Sequence, residues 1–174
     1  AVLSPVALAV IMFYSYCKRF TSLAHIVLGL SLGIAPSAAY IATTGTLTIA
    51  PCLLSLLVLT WCGGFDIIYA LQDLEFDRES GLHSIPTRFG VRGALYISIA
   101  LHAASILSLI LFSLYCPQGW LLWIGEGLFC GCIILEHILV TPTHQRSIGI
   151  VFGTLNGIAS LTLATFTILQ LIVG

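Results

Sequence analysis

Seven acidic side chains occur in 174 residues, and five of them, Asp66, Asp73, Glu75, Asp77 and Glu79, fall within fourteen positions. At about 100° per residue along an α-helix, Asp73 stands about 20° short of two turns from Asp66, and Asp77 about 40° past one turn from Asp73. If one helix runs through all three, Asp66, Asp73 and Asp77 form a narrow stripe flanked by Tyr69 and Ala70. Carboxylates stacked a turn apart repel one another and are costly near lipid, so the pattern calls for a compensating cation. Oxygen ligands favour hard ions, and Mg²⁺ typically takes one or two carboxylates, several waters and substrate phosphates. Asp73 and Asp77 are therefore the expected Mg²⁺ ligands at a diphosphate site, although DxxxD alone is common by chance. Glu75 and Glu79 project elsewhere, as solvated charges do. Asp66 is expected about two turns inside an apolar span, where an ionisable group is functional by default, as a proton relay or otherwise; a plain partnership with Tyr69 is the simpler alternative.

The helix carrying these groups belongs to an oily chain. Hydrophobic residues make up 59%, charged residues 7%, and the mean hydropathy is +1.09. Soluble domains carry about 25% charged residues, so most of this surface faces lipid. Six Lys and Arg make no basic footprint, which excludes nucleic acid as a partner. The six cysteines, Cys17, Cys52, Cys62, Cys116, Cys130 and Cys132, form no CxxC pair and read as small apolar packing residues.

A membrane-spanning helix needs about 20 apolar residues. Six segments meet or approach that length: 1–16, 23–42, 47–72, 94–115, 120–140 and 148–173. The fold class is thus all-α, a polytopic transmembrane helix bundle. Thr21 and Ser22 are candidate caps for the second span, and Pro51 sits in the first turn of the third, where proline is tolerated. Lys18, Arg19, Arg78, Arg88, Arg92 and Arg146 all fall on alternate loops, hence on one side, which the positive-inside rule makes cytoplasmic. Gly29/Gly33, Gly127/Gly131 and Gly149/Gly153/Gly157 have the spacing of close helix contacts. The chain opens inside an apolar segment, as part of a longer protein would.

The stretch "DIIYALQDLEFDRESGLHSIPTRFG" resembles the second aspartate-rich motif of the UbiA-type membrane polyprenyltransferases. Asp66, Tyr69, Ala70, Asp73, Asp77, Gly81 and Ser84 fall on matching positions. "YCKRFTSLAHIVLGLSLGIAPSAA" is similar to the family's Lys-Arg-x-Thr segment, and "EHILVTP" with "NGIAS" is similar to its C-terminal end. Together these cover nearly the whole chain in order. The resemblance implies nine helices around a cavity open to the cytoplasm, six of them here. A first aspartate-rich motif, absent from this sequence, would hold the other half of the metal site, so these 174 residues alone are expected to be inactive.

The reaction implied is transfer of a polyprenyl group from an isoprenyl diphosphate to an aromatic acid, within ubiquinone or menaquinone synthesis, in a bacterial plasma membrane. Mg²⁺ at Asp73 and Asp77 would neutralise the departing diphosphate. Tyr69 could face the allylic cation or hydrogen-bond the diphosphate, and Asp66 could orient the acceptor or help its phenol lose a proton. Lys18 and Arg19 match family positions and could contact diphosphate or the acceptor carboxylate, or serve only to orient the chain. Arg78 and Arg88 could pair with the acids or with substrate. His83 stands where hydroxybenzoate-type members commonly have Lys, and "GLHSIP" looks like the futalosine-route subgroup, so a hydroxynaphthoate competes with 4-hydroxybenzoate as acceptor. His25 and His102 read as satisfied packing residues. Glu126, Glu136 and His137 lie in the fifth span, the last two near its charged end. A transporter with an acidic pathway is the rival class; it predicts charged groups across several spans, whereas the second, fourth and sixth contain none. A CDP-alcohol phosphotransferase would need a D-G-x-x-A-R opening that is missing.

Overall fold

A computed structural model describes residues 4–116, 119–143 and 148–173. In chain order the helices are α1 (Ser4–Cys17), α2 (Ala24–Thr44), α3 (Ile49–Tyr69), α4 (Leu74–Glu79), α5 (Ile85–Tyr115), α6 (Trp120–Leu139) and α7 (Ile148–Ile150). A π-helical turn, Val151–Leu155, then leads into α8 (Asn156–Val173). Among the described residues no strand forms. α2, α3, α5, α6 and the stretch Phe152–Val173 are long and apolar enough to cross a membrane. α1, at 14 residues, falls short of the roughly 20 required.

The apolar faces of these helices are only partly used within the bundle. Tyr96, Trp120, Leu161, Leu171 and Ile172 are each about 70% exposed, which lipid tolerates and water does not. One core cluster, built on Ile67, Ile68, Leu71, Ile85 and Leu95, lies beneath the charged loops. A second, deeper one joins Leu57, Leu109, Phe129, Ile133 and Ala159.

α2 and α3 meet through glycine. A Cβ added to Gly29 would collide with the Leu59 carbonyl oxygen, and one at Gly33 would lie 2.8 Å from that of Ser55. Further along, the Ser37 and Ser55 hydroxyls bond at 2.7 Å. The remaining small-residue rows behave differently. Gly127, Gly131, Gly149, Gly153 and Gly157 have nothing within 4 Å of a hypothetical Cβ among the described residues, so their spacing marks no contact here.

Several boundaries differ from those expected. Neither Thr21 nor Ser22 caps α2, whose N-cap is Leu23 without a side-chain bond. The chain turns through Thr21 N–H to the Cys17 carbonyl and Leu23 N–H to Thr21 Oγ1 at 3.2 Å, with Ser22 buried. The third span ends at Tyr69 rather than Gln72. Helix α5 starts at Ile85, well before residue 94, because Ser84 and Thr87 form a reciprocal capping box ahead of Pro86. Gly90, at φ +70°, then joins 85–89 to the long apolar part, a conformation that favours glycine. Ser84 thus caps α5 and Gly90 kinks it. Ser84→Ala should cost about 1–2 kcal/mol, because Ser84 is fully buried, and should lower the detergent melting temperature of the purified protein.

Candidate active site

Polar chemistry collects where α1 ends, α2 begins, α3 ends and α5 begins. Beyond Tyr69 the backbone tightens. Leu71, Gln72 and Asp73 donate to the carbonyls of Ile68, Tyr69 and Ala70, three residues back, before α4 resumes with Asp77 N–H to the Asp73 carbonyl at 2.7 Å. Residues in such a turn advance by about 120° rather than 100°. The single stripe expected for Asp66, Asp73 and Asp77 is therefore broken: the helix that would have carried it ends at Tyr69. Asp66 lies one turn from that end, not two turns inside a span. Asp73 precedes α4 and is exposed, whereas Asp77 is buried.

Asp77 is 1% exposed, and Lys18 Nζ reaches its two carboxylate oxygens at 3.2 and 3.4 Å. The Lys18 carbonyl accepts from His83 N–H at 2.7 Å, and the Asp77 carbonyl from Leu82 N–H at 2.8 Å. The α1–α2 turn and the α4–α5 connection are thereby clasped together around one ion pair. Arg88 Nη1 adds a longer bond, 3.4 Å, to Ser22 Oγ. A cavity of about 410 Å³ opens between these segments, lined by Phe20, Thr21, Ser22, His83, Ser84, Thr87 and Arg88. Arg19 lies over the Tyr16 ring at 5.6 Å. Arg78 is exposed in the last turn of α4, where a cation complements the helix dipole. Neither Arg19 nor Arg78 pairs with an acid among the described residues. Arg146 lies outside the described residues.

No three His, Cys, Asp or Glu side chains converge on a metal position among the described residues. Asp73 is exposed and Asp77 buried; a Mg²⁺ ion held by these two carboxylates would need waters and phosphate oxygens to complete its shell. Lys18 is the cation that Asp77 holds here, and a divalent ion at Asp77 would share the carboxylate with it or displace it.

Asp66 Oδ2 lies 2.7 Å from His25 Nδ1, with the two side chains 13% and 1% exposed. Tyr69, 36% exposed, stacks on Phe152 with ring centroids 4.1 Å apart. Phe152 in turn meets Phe65 edge-on, and Phe65 meets Trp61. An aromatic wall therefore descends from Tyr69 into the bundle. Trp61 Nε1 donates to Asn156 Oδ1 at 3.0 Å.

Two polar clusters stand apart from this mouth. His102 Nδ1 and His137 Nε2 are 2.8 Å apart, and His102 Nε2 is 3.2 Å from the Trp61 carbonyl oxygen. Glu136 Oε2 lies 3.7 Å from His102 Nδ1. Glu126 accepts a hydrogen bond from the Ser113 hydroxyl. Both clusters join neighbouring helices, and His102 is buried with a partner at each ring nitrogen.

Sequence reasoning brought Lys18 and Asp77 to the same end of the bundle and the structure pairs them. It missed His25 as the partner of Asp66 and Phe152 as the platform for Tyr69. For the first, local spacing offered no hint, because the turn over residues 18–23 separates Lys18 from α2. For Phe152 there was none, because a π turn sets its direction and no local pattern announces that turn.

The architecture is that of a polytopic membrane helix bundle with most of its charged side chains at one end. The UbiA prenyltransferase family pattern matches residues 1–164, and the chain belongs to that family. It is 32% identical over 123 residues to a protein named 4-hydroxybenzoate octaprenyltransferase from Francisella tularensis subsp. novicida, covering 71% of this chain and 43% of that one. A protein of the same name from Tolumonas auensis is 38% identical over 86 residues, 49% of this chain and 30% of that one. The apo structure of a UbiA homolog from Aeropyrum pernix K1 superposes with a TM-score of 0.80 at 28% identity, over 94% of this chain and 62% of that one. The chain thus spans less than half the length of these curated relatives.

Proposed function

We propose that the full-length protein transfers a polyprenyl group from an isoprenyl diphosphate to an aromatic acid, with 4-hydroxybenzoate as first candidate and a hydroxynaphthoate as second. The observation that carries this is the clasp of Lys18 on Asp77, beside Asp73 and one helix end from Asp66 and Tyr69, in a chain that belongs to the UbiA family. The names of the similar Francisella and Tolumonas proteins support the hydroxybenzoate.

The bond between the allylic carbon and the diphosphate oxygen breaks, and its electron pair leaves with the diphosphate. Ring electrons of the acceptor then form the new carbon–carbon bond, and a ring proton is lost. Mg²⁺, held by Asp73 and Asp77, would neutralise charge building on the leaving group. Lys18 and Arg19 bring positive charge to the diphosphate or the acceptor carboxylate, and Arg78 adds another at the rim. Tyr69, braced by Phe152, presents its ring to the allylic cation. Asp66 orients the acceptor or accepts its phenolic proton. Five arginines and lysines share the clasped end, Lys18, Arg19, Arg78, Arg88 and Arg92, which orients that end to the cytoplasm of a plasma membrane.

The test is prenyl transfer by the full-length protein in membranes, with each acceptor, with and without Mg²⁺. Metal-dependent product from one acceptor is expected. Absence of transfer to both, with the protein folded and both substrates supplied, would overturn the reading.

A further inference from the structure

We propose that His25 is a positioning residue for Asp66, its Nδ1–H holding Oδ2 so that Oδ1 is left for the acceptor's hydroxyl. The inference rests on the acceptor-facing role of Asp66 proposed above.

Asp66 lies in the last turn of α3, the negative end of the helix dipole, where its own helix offers a carboxylate no donors. The donor comes from the antiparallel neighbour. His25 is the second residue of α2, and its ring nitrogen approaches Asp66 Oδ2 to 2.7 Å, the length of a charge-assisted hydrogen bond. The ring is 1% exposed. Gly29, four residues on and hence on the same face of α2, lets the two helix backbones touch at Leu59. Backbone contact, rather than a flexible side chain, thus sets how far His25 reaches.

The partners of the ring nitrogens favour one tautomer. His25 Nε2 is buried and has no partner among the described residues. Orphaned buried N–H groups are rarer than under-satisfied acceptors, so the hydrogen belongs on Nδ1, pointing at Asp66. Oδ1 of Asp66 accepts no hydrogen bond among the described residues, and the side chain retains 13% exposure. One carboxylate oxygen is therefore tied and one is free. When the acceptor binds, its O–H bond breaks, the proton passes to Oδ1, and the electron pair stays on the acceptor to enrich the ring that attacks.

The experiment compares full-length wild type, Asp66→Asn, His25→Ala and His25→Asn in membranes, varying the acceptor and the isoprenyl diphosphate separately. His25→Ala should lower kcat/KM for the acceptor by about 10- to 100-fold, the size seen when outer partners of a fixed ligand are removed, with KM for the diphosphate unchanged. His25→Asn, whose amide N–H can occupy the Nδ1–H position, should recover most of that loss. Equal loss toward both substrates, or no recovery with Asn at wild-type protein levels, would assign His25 to packing and overturn the inference. Should His25→Ala fail to accumulate, the same split measured on His25→Asn against wild type decides: near-wild-type acceptor kinetics support the inference, and a loss shared by both substrates sinks it. Inactive Asp66→Asn beside fully active His25→Ala removes the inference alone. Fully active Asp66→Asn removes the role of Asp66, and the inference with it.

Discussion

Asp77→Asn in the full-length protein is expected to reduce prenyl transfer by about 10³-fold or more, beyond the roughly 10²–10³ that follows loss of one preorganised electrostatic group. Two losses coincide at this position. A carboxylate proposed to hold Mg²⁺ disappears, and Lys18, 29% exposed, is left without its partner. The second loss makes Asp77 different from Asp73, which is exposed and has no ion pair among the described residues. Asp73→Asn should therefore impair turnover while leaving the melting temperature near wild type, whereas Asp77→Asn should lower both. Lys18→Met provides the complementary measurement. It strands a buried carboxylate, an effect of about 3–5 kcal/mol in fully enclosed pairs and closer to about 2 kcal/mol here, because Lys18 keeps contact with water. If Lys18 also binds diphosphate, KM for that substrate rises further than the loss of folded protein explains. Unchanged turnover in both aspartate variants would show that neither carboxylate serves the metal.

Gly29→Ala is expected to have the largest effect on stability. The added methyl would meet the Leu59 carbonyl oxygen inside van der Waals contact, and a backbone atom cannot rotate away. Helices α2 and α3 must then separate, at the upper end of the about 1–3 kcal/mol typical of overpacking or beyond it. Gly127→Ala, with open space around the same methyl, should change stability by less than about 0.5 kcal/mol. Thermal melts of the two variants in detergent test the contrast directly. Because His25 lies one turn before Gly29, Gly29→Ala should also weaken use of the aromatic acceptor, and assay of the residual folded protein would show it. Equal melting temperatures for the two variants would mean that the α2–α3 contact is looser than the structure has it.

The contrast between these glycines shows where pattern reading stops. Gly29/Gly33 and Gly127/Gly131 have identical spacing, yet the first row faces α3 and the second faces open space. Spacing specifies which residues share a helix face, and the neighbour that covers the face is specified by how helices distant in sequence assemble. The acidic stretch carries the same lesson. Periodicity alone placed Asp66, Asp73 and Asp77 on one stripe, but a turn of three-residue hydrogen bonds after Tyr69 changes the angular step and separates exposed Asp73 from buried Asp77. Ser84 was visible as a motif position, and its reason, a capping box, emerged with the backbone, as did the left-handed kink at Gly90.

Composition was enough to establish that this chain lives in lipid as an all-helical bundle, because seven acids and six bases cannot clothe a water-facing surface of this size. Loop charges were enough to bring Lys18 and Asp77 to the same end of the bundle. Which groups touch there was decided by tertiary structure: Lys18 on Asp77 across 59 positions, His25 on Asp66 across 41, and Phe152 beneath Tyr69. Local sequence encodes helix length and helix face through short-range sterics and hydrophobicity, whereas pairings of that range depend on the angles and offsets at which several helices settle against one another.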